Sequence, residues 1–126
     1  MRQSFVIFGR LPGLNEYTKA NRTNIHAGAK LKRDAQIMVG KAIRRARLKP
    51  MERQVDIVFH WVEPNMKRDK DNIRHAAKYI LDALVENGIL ADDGWKYVRS
   101  LSDHYWVNKK KPRILVELNE VENENH

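Results

Sequence analysis

The sequence contains no cysteine. That excludes a disulfide scaffold, a cysteine-ligated zinc knuckle, an iron–sulfur cluster and thiol catalysis. No apolar run approaches the ~18 residues that a membrane span needs, and the apolar part of the opening Met1–Phe8 is too short for a secretory signal. Acidic charge is scarce as well: 16 Asp and Glu stand against 24 Lys and Arg, giving +8 and a pI near 9.9. The expectation is a cytoplasmic, non-membrane protein whose partner is acidic.

The charge is unevenly placed. All 24 Lys and Arg lie at or before Arg113 together with 12 of the acids, so that stretch carries +12; Glu117, Glu120, Glu122 and Glu124 follow and carry −4. Such a body attracts phosphate backbones at long range, although a solvated basic surface is the plainer alternative. At 126 residues the chain fits one domain of modest core. Residues 1–121 are expected to form it, with 122–126 as a frayed acidic tail.

Hydrophobic patterning supplies the elements. Phe5–Phe8 is a short apolar run of strand-forming residues ended by Gly9, and residues 9–26, rich in Gly, Pro and Asn, predict a loop. Residues 28–48 predict a helix: Leu31, Ala35, Met38, Ala42 and Ala46 recur every three or four positions, and Pro50 stops it. Its polar side is strongly basic, with Arg44, Arg45 and Arg47 among the cations. A membrane surface could take such a helix, but its Ala-rich stripe is needed for a core, which favours nucleic acid.

Val55, Ile57, Phe59 and Trp61 alternate with more polar residues as in a half-buried strand, and 64–70 is a polar loop. A second helix is predicted over 71–86, stopped at Asn87–Gly88, followed by a turn at 91–94. Residues 97–106 alternate as a long, polar strand; 108–112 reads as a hairpin turn, and 113–118 as the last strand. The fold class is therefore α/β (α+β): a small mixed sheet, elements in the order β-α-β-α-β-β, with two helices packed on it.

Three acids stand out. Asp69 and Asp71 flank the start of the second helix, and Asp93, or its neighbour Asp92, lies in the turn after it. An N-cap and an ordinary turn would account for them. Against that, Arg68–Asp71 places two carboxylates inside a basic loop that would attract phosphate better without them. Carboxylates in a phosphate-binding groove commonly hold Mg²⁺ or Mn²⁺. Helix length alone would keep Asp93 from Asp71; they meet only if the flanking strands are adjacent and the segment after the helix doubles back. Trp95 and Trp106 could stack on unpaired bases or pack in a core or dimer.

Taken together, Asp69–Asn72, the apolar helix and Asn87–Asp93 resemble the RusA family of Holliday junction resolvases. Leu11–Tyr17 is similar to that family's opening Pro-x-x-Asn-x-Tyr stretch, so the resemblance spans about residues 4 to 118. It implies a small dimeric α/β endonuclease, often phage- or prophage-encoded, that binds four-way DNA junctions and nicks symmetric strands with Mg²⁺, for which Mn²⁺ may substitute. It implies Asp69, Asp71 and Asp93 as catalytic acids and metal ligands, and Asn72 as the residue following the second acid. Asn15 and Tyr17 are expected to bind DNA, with Lys67, Arg68, Lys70, Asn72 and Arg74 around the acids and Arg44, Arg45 and Arg47 on the basic helix. One position departs: where the family has a lysine four residues after the second acid this chain has His75, which the resemblance implies as a catalytic residue near the scissile phosphate and which is charged only below about pH 6.5 if unperturbed. A non-cleaving branched-DNA-binding protein and a basic RNA-binding module are the competing readings.

Overall fold

The structure is a computed structural model and describes residues 1–122, so the expectation for 123–126 lies outside the described residues. The elements are β1 (Arg2–Phe8), α1 (Leu14–Thr23), α2 (Ile25–Ala46), β2 (Val55–Glu63), α3 (Lys70–Arg74), α4 (Ala77–Glu86), β3 (Val98–Val107) and β4 (Arg113–Glu120). The α+β class and the strand–helix alternation are as expected. No described helix is long and apolar enough to cross a membrane.

The sheet is mixed, in the order β1-β4-β2-β3. β4 pairs antiparallel with β1 and with β2, and β3 pairs parallel with β2. This corrects the expected 108–112 hairpin. β3 and β4 are consecutive but not neighbours, because β2 lies between them. The connection crosses the end of β2, where Asn108 donates its N–H to the Glu63 carbonyl at 2.8 Å. The physical reason is burial. Val55, Ile57, Phe59 and Trp61 are at most 1% exposed, which requires a neighbour on each side, whereas the polar β3 is tolerable at an edge.

One sheet face carries Phe5, Ile7, Ile57, Phe59, Trp61, Ile114, Val116 and Leu118, and these pack with α2 and α4 residues such as Val39, Ile43, Ile80 and Leu84 into one core. The opposite face carries side chains that are mostly exposed or half-buried.

Two helical expectations change. Residues 14–23, expected as loop, form α1, which buries no residue of its own; no apolar stripe announces it. It is held from outside and at its ends. Asn24 ends α1 and caps α2, its Oδ1 accepting from Ala27 N at 2.7 Å. Gly28 lets the two helices close up, since a Cβ there would fall 1.6 Å from Asn21 Oδ1. The single helix expected over 71–86 is two segments, α3 and α4, joined by a tightened turn in which Ala76 N reaches Ile73 O. The stop at Asn87–Gly88 is as expected: Gly88 takes φ +74° and Ile89 N bonds back to Leu84 O.

Candidate functional site

β2 leaves the sheet at Glu63, and the crossover through α3 and α4 returns as the parallel neighbour β3. A cavity of about 540 Å³ opens where the carboxyl ends of these strands meet the loop 64–69 and α3, the usual place for a ligand in an open sheet of this kind. Its lining includes Asp69, Lys70, Asp71, Tyr105 and Trp106.

Glu63 anchors this end of the molecule. Arg68 grips it with two hydrogen bonds, Nε to Oε1 at 2.9 Å and Nη2 to Oε2 at 2.8 Å, while Arg10 Nη2 adds a third at 2.9 Å. Burial pushes the Glu63 carboxyl up, but the hydrogen bonds and charges of Arg68 and Arg10 outweigh it and hold it below the usual glutamate value. Arg68 also donates to Leu11 O at 3.1 Å. Its side chain is 12% exposed, so it positions the loop and offers little surface to a phosphate.

Asn72, expected to face DNA, is buried. Its Oδ1 accepts from Asn15 N at 2.9 Å, in the first turn of α1. Gly13 makes the approach possible: a Cβ there would lie 2.4 Å from Asn72 Oδ1 and 2.7 Å from Asn72 O. The stretches around Gly13–Asn15 and Asp69–Asn72, far apart in the chain, are thus one packing unit. Asn72→Ala should cost about 0.5–1.5 kcal/mol, the net worth of the lost hydrogen bond to Asn15 N, read as a lowered thermal midpoint.

Asp69 and Asp71 remain exposed. Among the described residues neither carboxylate is ion-paired; the one hydrogen bond to them is the local Asn72 N to Asp71 Oδ1, 3.0 Å. Acids elsewhere are commonly paired, as Asp34 is with Lys30, Asp56 with Arg99 and Glu120 with Arg53. Lys70 sits over the Tyr105 ring at 5.3 Å. Burial, and then Asp103, push the Tyr105 hydroxyl up, with Arg74 opposing and Asp71 adding, so these groups share one electrostatic environment. Nothing in the sequence singles out Asp103. It accepts from Trp61 Nε1 and Arg74 Nε, both at 2.7 Å, and an alternating polar strand gives no sign of that role.

Asp93 does not line the cavity. The segment after α4 does double back, and Asp93 Oδ2 lies 3.5 Å from Lys78 Nζ, itself 2.9 Å from Asp82. The hydrogen bond that Lys78 donates to Asp82 outweighs the opposing effect of burial and holds the ammonium above its usual value. Among the described residues no three His, Asp or Glu are gathered as a metal cluster. His75 is also outside the cavity lining. Its ring lies 5.3 Å from that of Tyr17 and 5.6 Å, edge-on, from that of Tyr79. Burial above all, with Tyr17 and Glu16, pushes the Tyr79 hydroxyl up to about 12. Thus Tyr17 and His75 meet each other, and the cations that line the cavity with Asp69 and Asp71 are Arg68 and Lys70, while Arg74 is held by Asp103.

Lys67 is exposed on the loop. Arg44, Arg45 and Arg47 are exposed along the end of α2, with Arg44 Nη1 3.0 Å from Asn87 Oδ1. The chain matches no protein-family model and no curated protein at significant similarity.

Proposed function

We propose that this chain is a metal-dependent, structure-selective endodeoxyribonuclease that binds four-way DNA junctions as a homodimer and nicks symmetric strands. The observation that carries the reading is the pair of exposed, unpaired carboxylates, Asp69 and Asp71, at a cavity in a strongly basic chain. The donor set fits a hard cation: Mg²⁺ takes oxygen ligands and is commonly held by one or two carboxylates, with waters and substrate phosphate completing its shell. Asp69 and Asp71 would hold Mg²⁺ or Mn²⁺. When bound, it would activate a water and neutralise charge on the scissile phosphate. Lys70 would bind the phosphate beside it. Arg74, kept on Asp103, would orient that wall of the cavity. Glu63 and Arg68 would keep the loop from shifting the two acids.

A homodimer follows from the symmetry of the reaction, since two matched cuts need two sites and the described residues supply one cavity of this kind. The deciding experiment is incubation of a labelled four-way junction with the protein and Mg²⁺, compared with EDTA and with linear duplex. Paired nicks in the junction alone support the reading; a junction left intact at saturating protein overturns it. A non-cleaving branched-DNA-binding protein is the second reading, favoured by the engagement of Asp93 with Lys78 away from the cavity.

The basic end of α2 is expected to add affinity without discrimination. Replacing Arg44, Arg45 and Arg47 by Ala should lower the slope of log affinity against log salt by up to about 2.7, about 0.9 for each phosphate no longer neutralised. It should weaken duplex and junction alike. Unchanged binding in a salt titration would make this end of α2 a solvated surface only.

A further inference from the structure

The sheet face turned away from the core carries aromatic and basic side chains to which the nuclease reading gives no role. Strand register places Phe8, Arg113, Val62 and Trp106 in one row across all four strands. The outer two are aromatic and stand 53% and 55% exposed. Three strand spacings of ~4.8 Å separate them, or about 14 Å. In the next row the His60 and His104 rings stack at 5.2 Å.

Cations border this row. Lys109, Lys110 and Lys111 are exposed in the connection beside it, which Asn108 Oδ1 shapes by accepting from Lys110 N and Lys111 N. Lys111 Nζ lies 5.7 Å from the Phe8 ring centre. Glu117, the nearest acid on this face, is taken up by His60 at 2.5 Å. A shallow cavity of about 270 Å³ opens here, and Trp106 and Val107 line both it and the cavity holding Asp69 and Asp71.

From this geometry we propose that the open sheet face binds unpaired, single-stranded DNA, with bases stacked on Trp106 and Phe8 and phosphates held by Lys109–Lys111 and Arg113. Aromatic rings set among cations are the chemistry by which sheets take single strands without regard to sequence, because every base has a face to stack. Duplex DNA keeps its bases stacked on one another and has nothing to offer these rings. An apolar protein partner would leave the three lysines unmatched. The shared wall at Trp106 gives an unpaired strand a path toward the acids. That continuation rests on the nuclease reading; the binding itself does not.

The test is binding of labelled dT12 to the full chain in EDTA, where no cutting intervenes, with a 12-base-pair duplex measured alongside. Trp106→Ala and Phe8→Ala should each weaken dT12 by about 10-fold or more and duplex by less than about threefold. Trp106→Phe, which keeps a ring, should hold dT12 within about threefold of the wild type, separating stacking from misfolding. Replacing Lys109, Lys110 and Lys111 by Ala should lower the dT12 salt slope by about 2. Trp95, 95% exposed but at the other end of β3, is the control: Trp95→Ala should leave dT12 binding unchanged. Equal losses on duplex and dT12, or no loss from either Trp106→Ala or Phe8→Ala, overturn the proposal. So does a Trp106→Ala protein that changes from dimer to monomer in sedimentation with dT12 affinity intact, since a second copy would then cover this face. A protein that leaves junctions uncut yet shows the dT12 pattern would refute the nuclease reading and keep this one.

Discussion

Asp71→Asn should bind a four-way junction as tightly as the parent protein and cut it about a thousandfold more slowly. The amide keeps the size of the side chain and can still accept from Asn72 N, so the local turn is preserved. What is lost is the negative charge that would hold the cation. A metal supplies several kcal/mol of transition-state charge stabilisation, and each 1.36 kcal/mol is tenfold in rate. Binding survives because it rests on the basic surface. Gel-shift affinity measured in Ca²⁺ or EDTA, with single-turnover cutting measured in Mg²⁺, separates the two quantities. Cutting near the parent rate would remove Asp71 from the chemistry. Asp69→Asn should behave similarly, because the same cavity holds both carboxylates.

The largest stability effect is expected at Glu63. Glu63→Ala strands two guanidiniums, one of them, Arg68, with a side chain only 12% exposed. Breaking a buried ion pair by removing one partner costs about 3–5 kcal/mol. The lower figure applies here, because Arg10 is 38% exposed and can turn into water. About 3 kcal/mol should lower the thermal midpoint by roughly 10–15 °C in a domain of this size. The pH dependence has a definite sign. The Glu63 carboxyl lies below its ordinary value of 4.5 in the folded protein. Its contribution is therefore full above that value and is lost as pH falls through the folded pKa. The gap between parent and Glu63→Ala should be widest at pH 7 and should narrow below about pH 4.5 in denaturant titrations. A gap independent of pH would mean that Glu63 acts through packing and not through charge. Cutting should fall too, since Arg68 and the loop bearing Asp69 lose their anchor.

Much of the architecture was legible in the chain, and the failures share a cause. Period-two alternation in Val55–Trp61 and period-3.6 spacing in Leu31–Ala46 and Ile73–Leu84 announce which faces are buried, because the burial of apolar side chains is itself periodic. Gly88 announces a helix end because few other residues take its backbone angles comfortably. α1 carries no sequence signal because it buries nothing; packing against α2, α3 and His75 stabilises it, and no local pattern encodes those neighbours. The neighbours of β2 were also beyond local reading. Asn108 and Pro112 look like hairpin residues, but strand order is decided by which strands most need covering, a property of the whole sheet.

The candidate site divides the same way. Residue type and spacing marked Asp69, Asp71 and Asp93 as carboxylates out of place in a basic chain. Only the tertiary structure assigned them surroundings: Asp69 and Asp71 at the cavity, Asp93 on Lys78, Asn72 beneath Gly13, and His75 against Tyr17. Chemical character belongs to a side chain and can be read from its letter. Which charges and rings face one another depends on how helices and strands distant in sequence pack, and that is settled by the competition for burial across the whole chain.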